Sequence, residues 1–140
     1  MTHELENAIE ILRAGEYTCV LCADNKIITT ALRGVKPLMQ WLQQGCIPKG
    51  FSAADKVVGK ATAFLYCLLG ATAVYADIMS CSGKMVLEAN GIYVQYKTLT
   101  DYIQNRTKDG MCPFEAVVLE CDQPQVALDA IERKMKELGI

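Results

Sequence analysis

The spacing of apolar residues along the chain predicts alternating helices and strands. Residues 4–14 and 126–138 carry apolar side chains at the 3.6-residue period of amphipathic helices. Residues 73–78 form an uninterrupted apolar run of strand length, which is typical of a strand buried on both faces. Asp24-Asn25 separates two short stretches that are rich in β-forming residues, so a hairpin is expected there.

Capping residues, glycines and prolines divide the rest of the chain. Ser52 and Asp55 approximate a capping box, which predicts a single helix from Ser52 to about Leu69, and Ser80 begins another helix. In full, we predict helices over 4–14, 34–44, 52–69, 80–89, 98–104 and 126–138, and strands over 17–23, 26–30, 73–78 and 92–96. The segment 113–120 fits either a final strand or part of a helix.

The order of these elements predicts one α/β domain that spans residues 1–140. An antiparallel hairpin opens the sheet, and right-handed β-α-β crossovers continue it. Helices on both faces of such a mixed sheet give a three-layer α/β/α sandwich.

Composition narrows the classes of protein and partner. Hydrophobic residues make up 51% of the chain and charged residues 21%, close to the average for a globular protein. The net charge of −2 gives no electrostatic reason to expect nucleic-acid binding. No apolar run approaches the roughly 20 residues of a membrane span, and the acidic, polar residues 1–6 do not form a secretory signal. We therefore expect a cytoplasmic protein without nucleic-acid or membrane partners.

The chain is rich in cysteine, with seven residues. The spacing Cys19-x-x-Cys22 would suit a zinc or redox site, but positions three apart in a strand point to opposite faces. No second cysteine pair or nearby histidine accompanies it. We expect these cysteines to pack as small hydrophobic residues in a reducing compartment.

Three short motifs resemble one known family. They read Asp55-Lys56-Val57-Val58-Gly59-Lys60-Ala61, Asn105-Arg106 and Cys112-Pro113-Phe114-Glu115. Together with the order of elements, they resemble the cytidine-deaminase-like fold, and more closely a zinc-less prokaryotic branch catalogued as domain of unknown function 1893. The resemblance covers nearly the whole chain and implies that fold. It implies no activity, because none is established for the family.

The metal ligands of zinc deaminases are missing from this chain. Those enzymes carry His-x-Glu at the start of one core helix and Pro-Cys-x-x-Cys at the start of the next. The matching positions here read Val58-Gly59-Lys60-Ala61 and Ser80-Cys81-Ser82-Gly83-Lys84. Only Cys81 remains, whereas catalytic zinc normally takes three protein ligands. We therefore expect no metal, no other cofactor and no deamination by the usual route.

Basic and hydroxyl-bearing residues stand where the metal ligands would be. Within the predicted helix, Lys56 and Lys60 share one face near the N-terminus, where two lysines oppose local stability and hint at an anionic partner. The start of the helix after a buried strand is also a common place for phosphate or carboxylate. The candidate ligand-binding residues are Lys56, Lys60, Ser80, Cys81, Ser82, Lys84, Asn105 and Arg106. The alternative interpretation is a solvated face in which Ser80 is only an N-cap.

Cys112 and Glu115 are the candidate catalytic residues. A thiol at a helix N-terminus can have a lowered pKa, although the chain offers no histidine beside it to act as base. Three functions follow as alternatives. The first is binding of a nucleotide or other anionic small metabolite in a deaminase-like pocket without zinc. The second is a metal-independent enzyme that uses Cys112 or Lys60, and the third is a structural module that forms homo-oligomers.

Overall fold

A computed structural model describes residues 2–105 and 107–140 of the chain. Its helices are α1 (Thr2–Ala14), α2 (Lys36–Gln44), α3 (Lys60–Leu69), α4 (Cys81–Ala89), α5 (Pro113–Val117) and α6 (Pro124–Leu138). Its strands are β1 (Cys19–Ala23), β2 (Lys26–Thr30), β3 (Ser52–Val58), β4 (Ala73–Ser80) and β5 (Tyr93–Thr100). The protein is therefore an α/β domain, as the apolar pattern predicts.

The strands form one mixed sheet in the order β2-β1-β3-β4-β5. β1 pairs antiparallel with both β2 and β3, whereas β3, β4 and β5 run parallel. The predicted hairpin is confirmed: Asp24 and Asn25 adopt φ values of 46° and 66°, the left-handed conformations that a tight two-residue turn requires. The strand predicted over 73–78 is confirmed as β4.

The prediction of one helix from Ser52 to Leu69 is wrong in its first half. Residues 52–58 form β3, which lies between β1 and β4, and the helix begins only at Lys60. Ala53 and Ala54 are fully buried on the two faces of this strand. Tertiary burial therefore outweighs the local capping signal and the helix propensity of alanine.

Two further predictions are corrected or settled. The helix expected over 98–104 is absent, because β5 continues to Thr100 in register with β4. Residues 113–117 form the short helix α5, which settles the choice between strand and helix for the first part of that segment.

Helix α1 packs against one face of the sheet. Its Leu5, Ala8, Ile9 and Leu12 contact a separate core that includes Val20, Cys22, Ala54, Ala73 and Tyr75. The other face carries the larger core, to which α2, α3 and α6 contribute. Cys19 belongs to the larger core and Cys22 to the smaller one, so the Cys-x-x-Cys pair does point to opposite faces. Among the described residues, no helix is both long and apolar enough to cross a membrane.

Candidate functional site

A cavity of about 590 Å³ lies at the carboxyl end of β3. Its walls come from the start of β1, the end of β3, the segment that leads into α2, the first turn of α3, and residues 103–104 and 112–115. The lining residues are Thr18, Cys19, Leu32, Arg33, Gly34, Val35, Pro37, Leu38, Asp55, Lys56, Val57, Gly59, Ala61, Thr62, Ile103, Gln104, Cys112, Phe114 and Glu115. This is the edge at which open α/β sheets bind their ligands.

Asp55 is a buried carboxylate in the wall of this cavity, and its side chain is 8% exposed. The Tyr66 hydroxyl donates a hydrogen bond of 2.6 Å to its Oδ2 atom, and the Val57 N–H donates one of 3.3 Å to Oδ1. The Cys19 thiol lies 3.0 Å from the same Tyr66 hydroxyl. Burial raises the pKa of Asp55 to about 6, although these hydrogen bonds oppose the rise.

The proton affinities of the neighbouring groups follow from the same burial. Burial and the charge of Asp55 raise the pKa of Cys19 and of Tyr66 well above their ordinary values. Both groups therefore stay protonated at neutral pH, and Tyr66 serves as a fixed hydrogen-bond donor to the carboxylate.

Glu115 is a second buried carboxylate, and it caps helix α3. Its Oε1 accepts a 2.9 Å hydrogen bond from the Lys60 N–H, and its Oε2 accepts one of 2.9 Å from the Ala61 N–H. Burial raises the pKa of Glu115, while these two hydrogen bonds and the Lys60 charge oppose the rise. Two of the free N–H groups at the start of the helix are thus bound by a side chain of the protein itself.

Two glycines make room for this arrangement. A Cβ atom on Gly59 would overlap the Glu115 carboxyl group. A Cβ atom on Gly83 would lie 3.0 Å from the Gly59 carbonyl group, so the starts of α3 and α4 approach each other closely. Gly59 therefore has a steric role within the motif that resembles a known family, because a larger residue would collide with Glu115.

The predicted lysine pair does not share a helix face, because Lys56 lies on β3 and Lys60 begins α3. The Lys56 ammonium is 4.0 Å from Asp77. The Lys60 ammonium donates a 2.7 Å hydrogen bond to the Leu119 carbonyl oxygen. Lys56 lines the cavity, whereas Lys60 is outside its lining. The expected unfavourable pair within one helix is therefore absent.

The residues at the start of α4 lie outside the cavity lining. Ser80 is the N-cap of the helix, since its Oγ accepts a 3.0 Å hydrogen bond from the Gly83 N–H. Ser82 Oγ lies 3.3 Å from Ser80 Oγ, and Cys81 is the first residue of the helix. The Lys84 ammonium is 3.9 Å from Glu88 and 6.0 Å from the centre of the Tyr96 ring. These contacts within the protein explain the polar side chains at the start of α4, and no ligand is needed to explain them.

The remaining candidates are Asn105, Arg106, Cys112 and Glu115. The Asn105 side chain donates to Asp109 Oδ1 at 2.9 Å and accepts from the Asp109 N–H at 3.2 Å, so it stabilises its own loop. Arg106 lies outside the described residues. Cys112 is the residue that precedes α5, and it lines the cavity together with Glu115. Of the nine candidate residues that the structure describes, the cavity lining includes Lys56, Cys112 and Glu115.

Sequence reasoning missed the role of Asp55, Tyr66 and Arg33. Asp55 was assigned to a helix cap, although a carboxylate within a run of small apolar residues also fits the buried end of a strand. Nothing in the local pattern singles out Tyr66, which contacts Asp55, or Arg33, which lines the cavity, because both placements depend on contacts between distant segments. Among residues 2–105 and 107–140, no group of three or more His, Cys, Asp or Glu side chains could hold a metal ion.

Comparisons with known proteins agree with this architecture. The crystal structure of a DUF1893 family protein (TM1506) from Thermotoga maritima is similar to the chain, with a TM-score of 0.87 and 22% sequence identity. The match covers 96% of this chain and 91% of that one, and at this identity it supports the fold alone. A search of curated proteins finds no significant match. The family model named TM1506, a domain of unknown function (DUF1893), matches residues 7–135, and the chain therefore belongs to this family.

Proposed function

We propose that the protein binds a small metabolite in the cavity at the carboxyl end of β3. The observation that carries this proposal is the cavity itself. Its volume of about 590 Å³ falls within the range of roughly 300–1,000 Å³ that is usual for small-molecule sites.

The chemical character of the lining supports a compact, partly apolar ligand. Val35, Leu38, Ala61 and Phe114 supply apolar walls, and buried Asp55 supplies a fixed polar group. Ligand sites commonly combine mostly apolar walls with a few polar groups that orient the ligand. The cavity offers both on the rigid framework of the sheet.

A nucleotide or other anionic metabolite remains the finer prediction. Exposed Arg33 lines the cavity and could contact a phosphate group, which suits the planar guanidinium of arginine. Lys56 also lines the cavity, but its ammonium lies near Asp77 on the other face of the sheet. Lys60 and Lys84 are held by Leu119 and Glu88, which weakens the larger cluster expected from the sequence. The three-layer, cytidine-deaminase-like relationship and zinc independence likewise stay predictions.

The binding proposal is tested by titrating the isotopically labelled protein with cytidine, adenosine and their 5′-monophosphates, followed by backbone NMR. We expect at least one of them to shift the resonances of residues 32–38, 55–62 and 103–115. Replacing Thr62 by Trp places a large ring in the cavity wall and should abolish the shifts. The matched control is Met85→Trp, which changes a residue that is 70% exposed on α4. Shifts that survive Thr62→Trp would place the binding elsewhere.

The same titration tests whether the ligand is anionic, because it compares each nucleoside with its 5′-monophosphate. If a phosphate contacts the rim, each monophosphate should bind more tightly than its nucleoside, and Arg33→Ala should remove the difference. Equal affinities for nucleoside and nucleotide in the unmodified protein would argue against the anionic class while leaving the cavity as a binding site.

The alternative of a metal-independent enzyme rests on Cys112, which lines the cavity. Both Glu115 oxygens accept hydrogen bonds from α3, which leaves that carboxylate poorly placed to activate the thiol. Peptide mapping after limited alkylation would decide the matter. A Cys112 that reacts no faster than a free thiol at neutral pH would argue against a catalytic role.

A structural module that self-associates is the remaining alternative. Exposed apolar side chains on β4 and β5, at Ile78, Tyr93 and Leu99, are compatible with an interface. Sedimentation equilibrium would measure the oligomeric state directly.

A further inference from the structure

We infer that Asp55 is a recognition residue, which selects ligands that present a cationic, nitrogen-based hydrogen-bond donor, such as an amidinium group, to its carboxylate. This inference rests on the proposed function, because it concerns the chemistry of the ligand in the same cavity. It adds a requirement for positive charge on the ligand, which the shape of the cavity alone does not impose.

The alternation of side chains along β3 separates Asp55 from the nearest lysine. Asp55 contacts Tyr66 on the α3 side of the sheet, whereas the Lys56 ammonium lies near Asp77. Asp77 in turn accepts a 2.7 Å hydrogen bond from Tyr75, a member of the α1 core. Lys56 is therefore directed to the opposite face of the sheet, away from the Asp55 carboxylate.

Among the residues that the structure describes, Asp55 has neutral hydrogen-bond donors and no cationic partner. Its side chain receives hydrogen bonds from the Tyr66 hydroxyl and the Val57 N–H, and the Lys56 N–H and the Cys19 thiol also lower its pKa. In the described part of the chain, no lysine or arginine nitrogen lies within 4.0 Å of it. Glu115 differs, because the charge of Lys60 lies close enough to lower its pKa.

The burial of Asp55 makes a charged partner valuable. Only 8% of the residue is exposed, so water solvates its charge poorly and the ionised form is costly. A cation that entered the cavity would restore the missing interaction in a site of low dielectric, where charge pairs are strong. A planar amidinium can also donate two parallel hydrogen bonds to a carboxylate.

Protonation of Asp55 should compete with such a ligand. Burial raises its pKa to about 6, so the carboxylate is mostly ionised at pH 7.5 and mostly protonated at pH 5. The groups that face it are Cys19 from β1 and Tyr66 from α3, which stay protonated over this range, while Glu115 and Arg33 also line the cavity. A cationic ligand should therefore lose affinity about tenfold between pH 7.5 and pH 5.

The test uses three probes of nearly equal shape: benzamidine, benzamide and benzoate, which are cationic, neutral and anionic. Backbone NMR titrations at pH 7.5 give their affinities and the residues that they contact. We expect benzamidine to bind in the cavity at least tenfold more tightly than benzamide. Asp55→Asn should remove that preference, because the amide keeps the shape of the side chain and loses the charge.

The control variant is Asp77→Asn, which removes a carboxylate from the other face of the same sheet and should leave the preference unchanged. If Asp55→Asn does not fold, the pH dependence of benzamidine binding to the unmodified protein provides an independent measure. Equal affinities for benzamidine and benzamide, or a preference that survives Asp55→Asn, would overturn the inference alone. Failure of all three probes and of the nucleoside series to bind would overturn the proposed function as well.

Discussion

At the scale of single residues, Asp55 links the stability of the fold to the chemistry of the cavity. It lies on the central strand β3, and its hydrogen bond from Tyr66 connects that strand to helix α3. The same residue lines the cavity. A residue that is costly to bury and also faces a ligand-sized space is a candidate for function.

Stability should rise as pH falls through the pKa of Asp55. The folded pKa of about 6 lies above the ordinary value of 3.8. The native state therefore binds the proton more tightly than the unfolded state, and ionisation destabilises the fold above pH 6. Between pH 7 and pH 5, Asp55 should raise the free energy of unfolding by about 1 kcal/mol.

Urea denaturation at both pH values measures this effect. The gain should be about 1 kcal/mol smaller in Asp55→Asn than in the unmodified protein, whereas exposed Asp101→Asn should leave it unchanged. The raised pKa of Glu115 acts in the same direction, so the variant should keep part of the dependence. A pH response identical in both proteins would show that Asp55 does not titrate in this range.

The helix start predicted at Ser80 is confirmed, whereas the helix cap assigned to Asp55 is wrong. The N-cap role of Ser80 depends on Gly83, three positions away, so the local pattern contains the needed information. The environment of Asp55 depends on β1 and β4, which pair with β3, and on Tyr66, which donates a hydrogen bond to it. These contacts could not be foreseen while Asp55 was assigned to a helix. A single sequence does not show which distant segments come into contact, and the roles of such residues depend on those contacts.

At the scale of elements, the contact between Glu115 and the start of α3 joins segments that are 55 residues apart. Gly59 has a φ of −102°, which any residue can adopt. Its lack of a side chain therefore matters for space rather than for backbone conformation. Glu115 on α5 thus packs against Gly59 and binds the start of α3, so the two segments depend on each other.

A double-mutant cycle would measure the coupling energy between Gly59 and Glu115. Glu115→Ala leaves two helix N–H groups without their partner and should cost about 2 kcal/mol. Gly59→Ala places a methyl group where the carboxyl lies and should also cost about 2 kcal/mol. In the double variant the methyl group has room, so the combined cost should fall below the sum by at least about 1 kcal/mol.

The matched control for that cycle is Gly110→Ala, where a Cβ atom would meet only Asn105 Nδ2 at 3.7 Å. Its effect should add to that of Glu115→Ala. Chemical denaturation of the four proteins gives the free energies of unfolding. Strict additivity of Gly59→Ala and Glu115→Ala would contradict the steric interpretation.

Helix α4 offers a test that separates capping from ligand binding. Ser80→Ala should lower the free energy of unfolding by about 1 kcal/mol through loss of the N-cap, and Ser82→Ala should change it much less. Neither variant should alter binding in the cavity, because both residues lie outside its lining. Lost affinity in Ser80→Ala with unchanged stability would restore this segment as a binding site.

The element order could be predicted in large part because amphipathic helices and the apolar β4 follow simple periods. β3 escaped prediction because Ser52, Ala53 and Ala54 lack a β-branched or aromatic side chain, and their complete burial alone distinguishes them from a helix start. The end of β5 escaped for a related reason. Its residues are mostly exposed, so no period of 2 marks the strand between Tyr93 and Thr100.

At the scale of the whole molecule, β3 and β4 form the centre of the sheet, and residues on both faces of each belong to a core. β2 is an edge strand, and Lys26, Ile27 and Thr29 are exposed there. Amide hydrogen exchange should therefore be slowest in residues 53–57 and 74–78 and faster in β2 and in residues 103–105 and 107–111.

Exchange measured by mass spectrometry or NMR under native conditions tests that ordering. Protection at the centre of the sheet should approach the global free energy of unfolding, because these amides open only when both cores separate. Higher protection in α6 than in β3 and β4 would show instead that the sheet is not the most stable unit of the fold.

The Glu115 cap also determines which dissolved anions can reach helix α3. Because the carboxylate belongs to the chain, the fold holds it at the helix terminus at an effective concentration in or above the millimolar range. A metabolite at an ordinary cellular concentration would have to outcompete this internal ligand and leave Glu115 buried without its partners. While α5 stays docked, the Lys60 and Ala61 N–H groups are therefore closed to anions from solution. Under the proposed function, the cavity walls would then select among metabolites.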